Sequence, residues 1–511
     1  MHSLFLTLAC IALSALGGVA GLGGAGLLQS VLESEGIEYF VQGEPGYQNA
    51  SRPFNLRLHF EPVAVAYPSS TEDVSVLVEA AALLGIAVNA RSGGHSYAGY
   101  GLGGVNGHLV IDLSKIKEIK VDQNTGTAVV GAGNRLGDIA IALFDQGGRA
   151  IPHGTCPLVG IGGHASFGGF GVTSRSWGLT LDNVVAATVV LANGTIVQAS
   201  DADYPDLFWA LRGAAPSFVI ITHFHFRTYP APAQPTFFSY EWSLPLDQAI
   251  KGISTYQNFT ISAPIPKELG VELRLEKGRK TCELLLKLSG SYYGSPQNFA
   301  GILTPFLDTM PAPLSPGQIN VTSWLQNLQL FSSGPLASTP ESVALDNNTF
   351  YAKSLMTPSN EALPDEAITA LARWLSVEGW YTTTAGWYVQ LQLWGGATSQ
   401  VVQLPTNATA YSHRDILWDI QAYASSSNHE PPYPKEGFAF LDGVIASITA
   451  NVPETFNYGS YPNYADPRLP TPEWQELYYG TNLDRLQQIK TELDPGNVFR
   501  WPQSIPLLES F

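Results

Sequence analysis

Ile151–Gly171, IPHGTCPLVGIGGHASFGGFG, and its upstream partner Arg91–Gly101, RSGGHSYAGYG, decide how the rest of the 511-residue chain reads. Both are dense in glycine, which tolerates positive φ and lets a backbone approach a flat ligand closely. Each displays one reactive side chain, Cys156 in the first and His95 in the second. Either loop alone reads equally well as a set of tight turns. Two such loops, each carrying a nucleophile, point to a large planar cofactor gripped from two sides.

Working outward, the Arg91 loop is delivered by a β-α-β pattern. VAVAYP (63–68) reads as a strand, Ser69-Ser70-Thr71 opens a helix, and Glu72 and Asp73 sit in its favourable first turn. Val74, Val76, Leu77, Ala80 and Ala81 recur at helical spacing, and IAVNARS (86–92) returns as a strand into the glycine loop. Upstream, 26–42 reads as a helical lead-in. Backbone N–H groups of such a loop suit a pyrophosphate, although no GxGxxG follows the first strand. Between and beyond the loops come strands LVIDLS, IKEIKVD and GTAVVGAG, a helix near Leu136–Gln146, and an Asn193-Gly194 turn joining two β-branched runs as a hairpin. PAPAQP (230–235) marks a linker. After it, ELRLE (272–276), CELLLKLSGSYYG (282–294) and WYVQLQLWGG (387–396) alternate with amphipathic helices, which predicts a large antiparallel sheet backed by helices.

Length alone calls for more than one core. The formal charge of −17 disfavours nucleic acid and anionic membrane surfaces as partners. Residues 3–20 form an apolar run shorter than the roughly 20 residues a spanning helix needs, and they read as a secretory signal ending near Ala20. Six Asn-x-Ser/Thr sequons, at Asn49, Asn193, Asn258, Asn320, Asn347 and Asn407, agree with a secreted glycoprotein. Once Cys10 leaves with the signal, Cys156 and Cys282 remain. They could pair with each other; if Cys156 is spent on a cofactor, Cys282 is expected to be a buried lone thiol. His223 and His225 share a strand face without an acidic or thiol partner, so no metal site is expected.

Taken together, RSGGHS, GTCPLVGIGGH, LFWALRG (207–213) and YYGTNLDRLQQIK…DPGNVF (478–499) resemble the berberine-bridge-enzyme-like branch of the vanillyl-alcohol-oxidase flavoprotein superfamily. Within it the chain is most similar to fungal glucooligosaccharide and chitooligosaccharide oxidases. The resemblance implies an α+β, two-domain flavoprotein. Residues 21–235 and 461–511 would build the FAD-binding domain, of the PCMH type, and 236–460 a substrate domain. It implies FAD bonded twice, through His95 to the 8α-methyl and through Cys156 to C6. Arg91, Ser92, Gly93, Gly94, Ser96, Val159, Gly160, Gly162, Gly163, His164, Gly168 and Gly169 would be further cofactor contacts. A small residue at Val159 goes with oxidases, so molecular oxygen is the expected acceptor and hydrogen peroxide the co-product.

For catalysis the resemblance implies Tyr464 as the base that takes a sugar-hydroxyl proton. Relatives pair that tyrosine with an aspartate in a Gln-x-Asp strand; here Gln390 is kept and Gln392 stands in place of the aspartate. An amide orients a phenol but cannot relay its proton, and an unperturbed tyrosine titrates near about 10. Tyr97, Thr155, Gln390 and Phe170 are the expected substrate contacts, Phe170 where glucooligosaccharide oxidases have tyrosine. Val219 replaces a glycine beside the expected ribityl chain, and Trp387 and Trp394 read as packing or as sugar platforms. The implied activity is oxidation of the reducing-end C1 hydroxyl of an oligosaccharide to a lactone. The departures at Gln392 and Phe170 keep open an oxidase of aromatic or alkaloid-like alcohols, and a non-catalytic secreted flavoprotein is the alternative outside enzymology.

Overall fold

The computed structural model describes residues 23–332 and 334–508; the expected signal segment lies outside them. The first part of the chain builds two sheets. One is four-stranded, in the order β1 (Glu38–Phe40), β2 (Ala64–Tyr67), β4 (Leu109–Asp112), β3 (Val88–Arg91), with β2 and β3 both parallel to β4. The helix joining β2 to β3, Thr71–Leu83, starts in a capping box. Ser70 Oγ accepts the Asp73 N–H at 3.0 Å, and Asp73 Oδ2 accepts the Ser70 N–H at 3.2 Å. The expected β-α-β unit is therefore present, with β4 inserted between its strands. The lead-in is shorter than expected: its helix, Gly24–Ser34, ends before Gly36 at φ +66°, and the β-prone residues that follow become β1.

The second sheet is five-stranded, in the order β5 (Ile119–Asp122), β6 (Thr127–Gly131), β9 (Val219–Arg227), β7 (Val184–Leu191), β8 (Ile196–Ser200). β7 and β8 form the hairpin read from Asn193-Gly194, with Gly194 at φ +81°. Leu77, Ile111, Val130 and Phe224 lie in one buried cluster, which also takes in Trp474, Tyr478, Leu486, Ile489 and Phe499 from the end of the chain. The tail thus packs back on the first part of the molecule.

Past the proline-rich segment the chain forms a seven-stranded, fully antiparallel sheet, ordered β13 (Gln318–Val321), β10 (Thr236–Pro245), β12 (Glu283–Tyr292), β11 (Leu269–Lys277), β15 (Ala385–Leu393), β16 (Trp418–Ser426), β14 (Phe350–Met356). Strand alternation divides its two faces. Leu273, Leu275, Val389, Leu391, Ile420 and Ala422 face a second core. That core includes Ile253, Ile368, Leu371 and Leu441 from the long helices Leu246–Ser262, Asp365–Tyr381 and Lys435–Thr449. The opposite, polar face of the central strands turns to the glycine loops. Cys282 corrects one expectation: it is an exposed free thiol at φ +62°, in the turn between β11 and β12, where no core is available to cover it.

Candidate active site

The two glycine loops cross at a point that admits no side chain. A Cβ on Gly160 would lie 2.0 Å from the Gly93 nitrogen, and one on Gly93 would lie 2.4 Å from the Gly160 nitrogen. Ser92 fastens the crossing, donating from Oγ to the Ala132 carbonyl at 2.5 Å and accepting the Gly162 N–H at 3.1 Å. This contact brings together two side chains 61 positions apart in the chain: His95 Nε2 and Cys156 Sγ are separated by 4.0 Å. The His95 ring stacks on Phe54 at 3.7 Å and donates from Nε2 to Asp346 Oδ2 at 2.7 Å. Burial pulls this imidazole down, but the hydrogen bonds and charges of Asp346 and Cys156 outweigh it and hold it at about 9. The ligand-type atoms of His95, Cys156 and Asp346 lie within 4.8 Å of one another, the one group among the described residues that could also gather a metal ion. The sequence, which offers no acidic residue beside either loop, did not suggest it.

From this mouth a cavity of about 500 Å³ runs between the loops and the large sheet. Arg91, Ser92, Gly93, Gly94, Ser96, Val159, Gly160, Gly162, Gly163 and His164 line it, as do Tyr97, Thr155, Phe170 and Val219. The Arg91 guanidinium is committed to the protein, to Asp112, the Ala50 carbonyl and Tyr67. His164 Nε2 accepts the Gly154 N–H at 3.1 Å, and burial pushes this imidazole down to about 3, so it stays neutral. Gly168 and Gly169 are not in the wall, contrary to expectation. Both take positive φ, and a Cβ there would meet Tyr461 and Thr180 respectively. Their role is to let the chain turn tightly against those side chains.

The sheet side of the cavity is built from cross-strand rows. Register places Glu272, Gln392 and Asp419 side by side across β11, β15 and β16, and Arg274, Gln390 and Gln421 in the next row. Gln390 Nε2 donates to Glu272 Oε1 at 3.1 Å, Gln421 Nε2 donates to the Tyr97 hydroxyl at 3.2 Å, and Arg274 covers the Tyr388 ring at 4.0 Å. Tyr464, in the turn Pro462–Tyr464, stacks on Tyr97 at 5.5 Å and meets Tyr461 edge-on at 5.0 Å. Burial, with Tyr97 and the Asp419 charge adding to it, holds the Tyr464 phenol well above its ordinary range. Trp387 and Trp394 are packing: Trp387 donates to the Gly379 carbonyl, and Trp394, fully buried, stacks flat on Phe170 at 4.2 Å.

Sequence reading missed Glu272, Arg274, Tyr388, Gln421, Asp419, Asp346 and Phe54. The first five share the strand alternation that exposed Gln390 and Gln392, so WDIQAYASS (418–426) and ELRLE already held the signal. Asp346 and Phe54 come from irregular segments and carried none.

Asp419 is wholly buried, accepts Ser354 Oγ–H through Oδ1 at 2.7 Å, and leaves Oδ2 without a partner. Ser354 Oγ in turn accepts the Tyr461 N–H at 2.8 Å, which ties the Tyr464 turn to this carboxyl. Burial, only partly opposed by Ser354, pushes Asp419 up to about 7. The folded state therefore holds the proton more tightly than the unfolded chain. The stabilisation is complete below the ordinary aspartate range and is lost as pH rises through about 7. Across that window Asp419 contributes a fall of at most about 1.4 kcal/mol per pH unit. Denaturant melts of the parent and Asp419→Asn from pH 4 to 8 should converge at the acid end, separate progressively up to about pH 7 and keep a constant offset above it, with the variant the more stable. Parallel curves would refute the assignment.

Residues 62–200 match the family model described as "FAD binding domain", and 460–506 the model "Berberine and berberine like". The xylooligosaccharide oxidase of Thermothelomyces thermophilus is 37% identical over 94% of each chain. Among solved structures, a chitooligosaccharide oxidase superposes with a TM-score of 0.87 at 34% identity, covering 94% of this chain and all of its own. The glucooligosaccharide oxidase of Acremonium strictum, described as carrying 6-S-cysteinyl, 8α-N1-histidyl FAD, has a TM-score of 0.86 at 35% identity, again over 94% of this chain and all of its own.

Proposed function

The chain belongs to the berberine-bridge-like, FAD-linked oxidoreductases, and from that premise we propose that it oxidises the reducing-end C1 hydroxyl of oligosaccharides to a lactone, with dioxygen as electron acceptor. The observation that carries the substrate class is the pair of cross-strand rows. Glu272, Gln392, Arg274, Gln390 and Gln421 set amides, a carboxyl and a guanidinium opposite the His95–Cys156 mouth. Such a wall offers both donors and acceptors, which suits a neutral polyhydroxylated ligand better than an apolar one.

The residues present fit the flavin. The Gly93–Gly160 crossing is a cradle that any Cβ would fill, the cavity beside it is long enough to involve both the loops and Val219, and the two nucleophiles stand together at its mouth. His95 and Cys156 would hold the cofactor, with Ser92, Gly162 and Gly163 beside it. Bound FAD supplies the hydride acceptor and passes the electron pair to dioxygen. The protein's own task is the proton. Tyr464 Oη is the proposed acceptor of the C1 hydroxyl proton. A phenol held protonated at rest can accept only as its own proton leaves, and Gln392 cannot take it. Asp419, next to Gln392 in the same row and bearing on Tyr464 electrostatically, is the proposed destination.

Peroxide formation tests this with a panel of gluco-, xylo- and chitooligosaccharides beside phenolic alcohols, using the parent and Gln392→Asp. Peroxide is expected from the sugars with both proteins. In the variant three carboxyls stand in one row, Glu272, the new aspartate and Asp419, so its acid limb should move to higher pH. Peroxide from phenolic alcohols alone would support the aromatic-alcohol reading, and no flavin bleaching with any substrate under anaerobiosis would support a non-catalytic flavoprotein. We further propose secretion: among the described residues no helix is long and apolar enough to cross a membrane, and the sequon residues Asn49, Asn193, Asn258 and Asn407 are exposed and open to glycans.

A further inference from the structure

We propose that Asp346 is the positioning residue for flavin attachment: it takes the Nε2 proton of His95 into a hydrogen bond and so presents Nδ1 as the nitrogen that bonds the flavin. Asp346 belongs to neither glycine loop. It follows the short helix Pro340–Leu345, 251 positions along the chain from His95, and reaches the imidazole at 2.7 Å. A neutral imidazole has one N–H and one lone pair, and the group bonded to one nitrogen decides which is which. A carboxylate can only accept, so Nε2 keeps its hydrogen, and the imidazolium that Asp346 and Cys156 favour gives up its proton from Nδ1, which then carries the lone pair. Stacking on Phe54, at 3.7 Å and 25° between planes, fixes the ring plane, while Asp346 fixes its rotation within that plane. Among the described residues nothing hydrogen-bonds Nδ1. The two constraints together aim a free lone pair, as the outer partners of metal-bound histidines do. N1-histidyl attachment, described for the Acremonium enzyme, uses the nitrogen that this arrangement leaves free.

Once the imidazolium has released its Nδ1 proton to solvent, Nδ1 forms a bond to the 8α carbon, and one C–H bond of that methyl breaks. The alkylated ring gives up its Nε2 proton to Asp346 Oδ2. That carboxylate is about one-third exposed and can pass the proton on. The proton from the methyl and the proton from Nε2 finish on the flavin, which is left reduced by two electrons. Dioxygen removes both protons and the electron pair as hydrogen peroxide. Asp346 is regenerated and His95 stays bonded.

The test reads attachment rather than sugar oxidation, so it is independent of the proposed activity. In a Cys156→Ala background His95 is the sole tether. Acid precipitation of the purified holoprotein should leave the yellow colour in the pellet. Adding Asp346→Ala should send most of it to the supernatant, at least a tenfold drop in retained flavin. Asp346→Asn keeps an oxygen that accepts Nε2–H and should retain flavin to an intermediate level. In the parent background, peptide mass mapping of Asp346→Ala should find the Cys156 peptide flavinylated and the His95 peptide bare. Flavin absorbance before precipitation shows that the variants still fold around the cofactor. Full retention in Cys156→Ala/Asp346→Ala, or a flavinylated His95 peptide in Asp346→Ala at the parent's level, would overturn the proposal.

Discussion

Tyr464→Phe is expected to lower kcat/KM on an oligosaccharide by about 10²–10⁴-fold, the range that loss of a positioned general base gives. That corresponds to roughly 3–5 kcal/mol of transition-state stabilisation. The substitution removes one oxygen and keeps the ring, so the stack on Tyr97 and the edge contact with Tyr461 survive. Flavin content per chain and the melting temperature should therefore match the parent while peroxide production collapses. Tyr461→Phe is the useful contrast. Its hydroxyl accepts the Gly169 N–H at 2.8 Å and an Asn463 amide N–H at 2.9 Å, so its loss should show in stability as well. A Tyr464→Phe enzyme within tenfold of the parent would remove Tyr464 from the chemistry and leave Asp419 without a partner in it.

The second large effect lies in the tail. Lys490 and Asp494 are both fully buried, and the ammonium donates to Asp494 Oδ2 at 2.6 Å and to the carbonyls of Ser217 and Phe499 at 2.7 Å. Asp494 also accepts the N–H groups of Val498 and Phe499. Burial pulls the lysine pKa down, and the aspartate opposes it. Lys490→Met strands a buried carboxylate and should cost about 3–5 kcal/mol, seen as a lower denaturant midpoint. Adding Asp494→Asn removes the stranded charge and should recover part of the loss, a coupling that a double-mutant cycle measures. Because Ser217 borders Ala215, Pro216 and Val219 in the cavity wall, loosening this pair should also slow cofactor loading. Additive losses in the cycle would show that the pair is not a unit.

Reading motifs along the chain recovered the elements whose signal is local. The two glycine loops, the capped helix at Thr71, the Asn193-Gly194 hairpin and the alternation of QLQ are each encoded within a few neighbours. Steric freedom, capping and strand period act at that range. Local reading failed where a side chain's surroundings come from far away. Gly168 and Gly169 look like loop glycines of the cofactor site, yet Tyr461 and Thr180 dictate them. Cys282 opens the strand run CELLLKL and reads as a buried lone thiol, yet it sits on a turn.

Motifs read along the chain place two nucleophiles on glycine loops and predict a polar-faced sheet against them, and the family resemblance implies an aspartate where Gln392 stands. The surroundings of those groups come from packing between distant segments. Strand register set Gln392 between Glu272 and Asp419, and an irregular segment 251 positions away brought Asp346 to His95. Backbone conformation follows from nearest neighbours, whereas hydrogen bonding and the protonation of buried groups depend on whatever packing brings within a few ångströms.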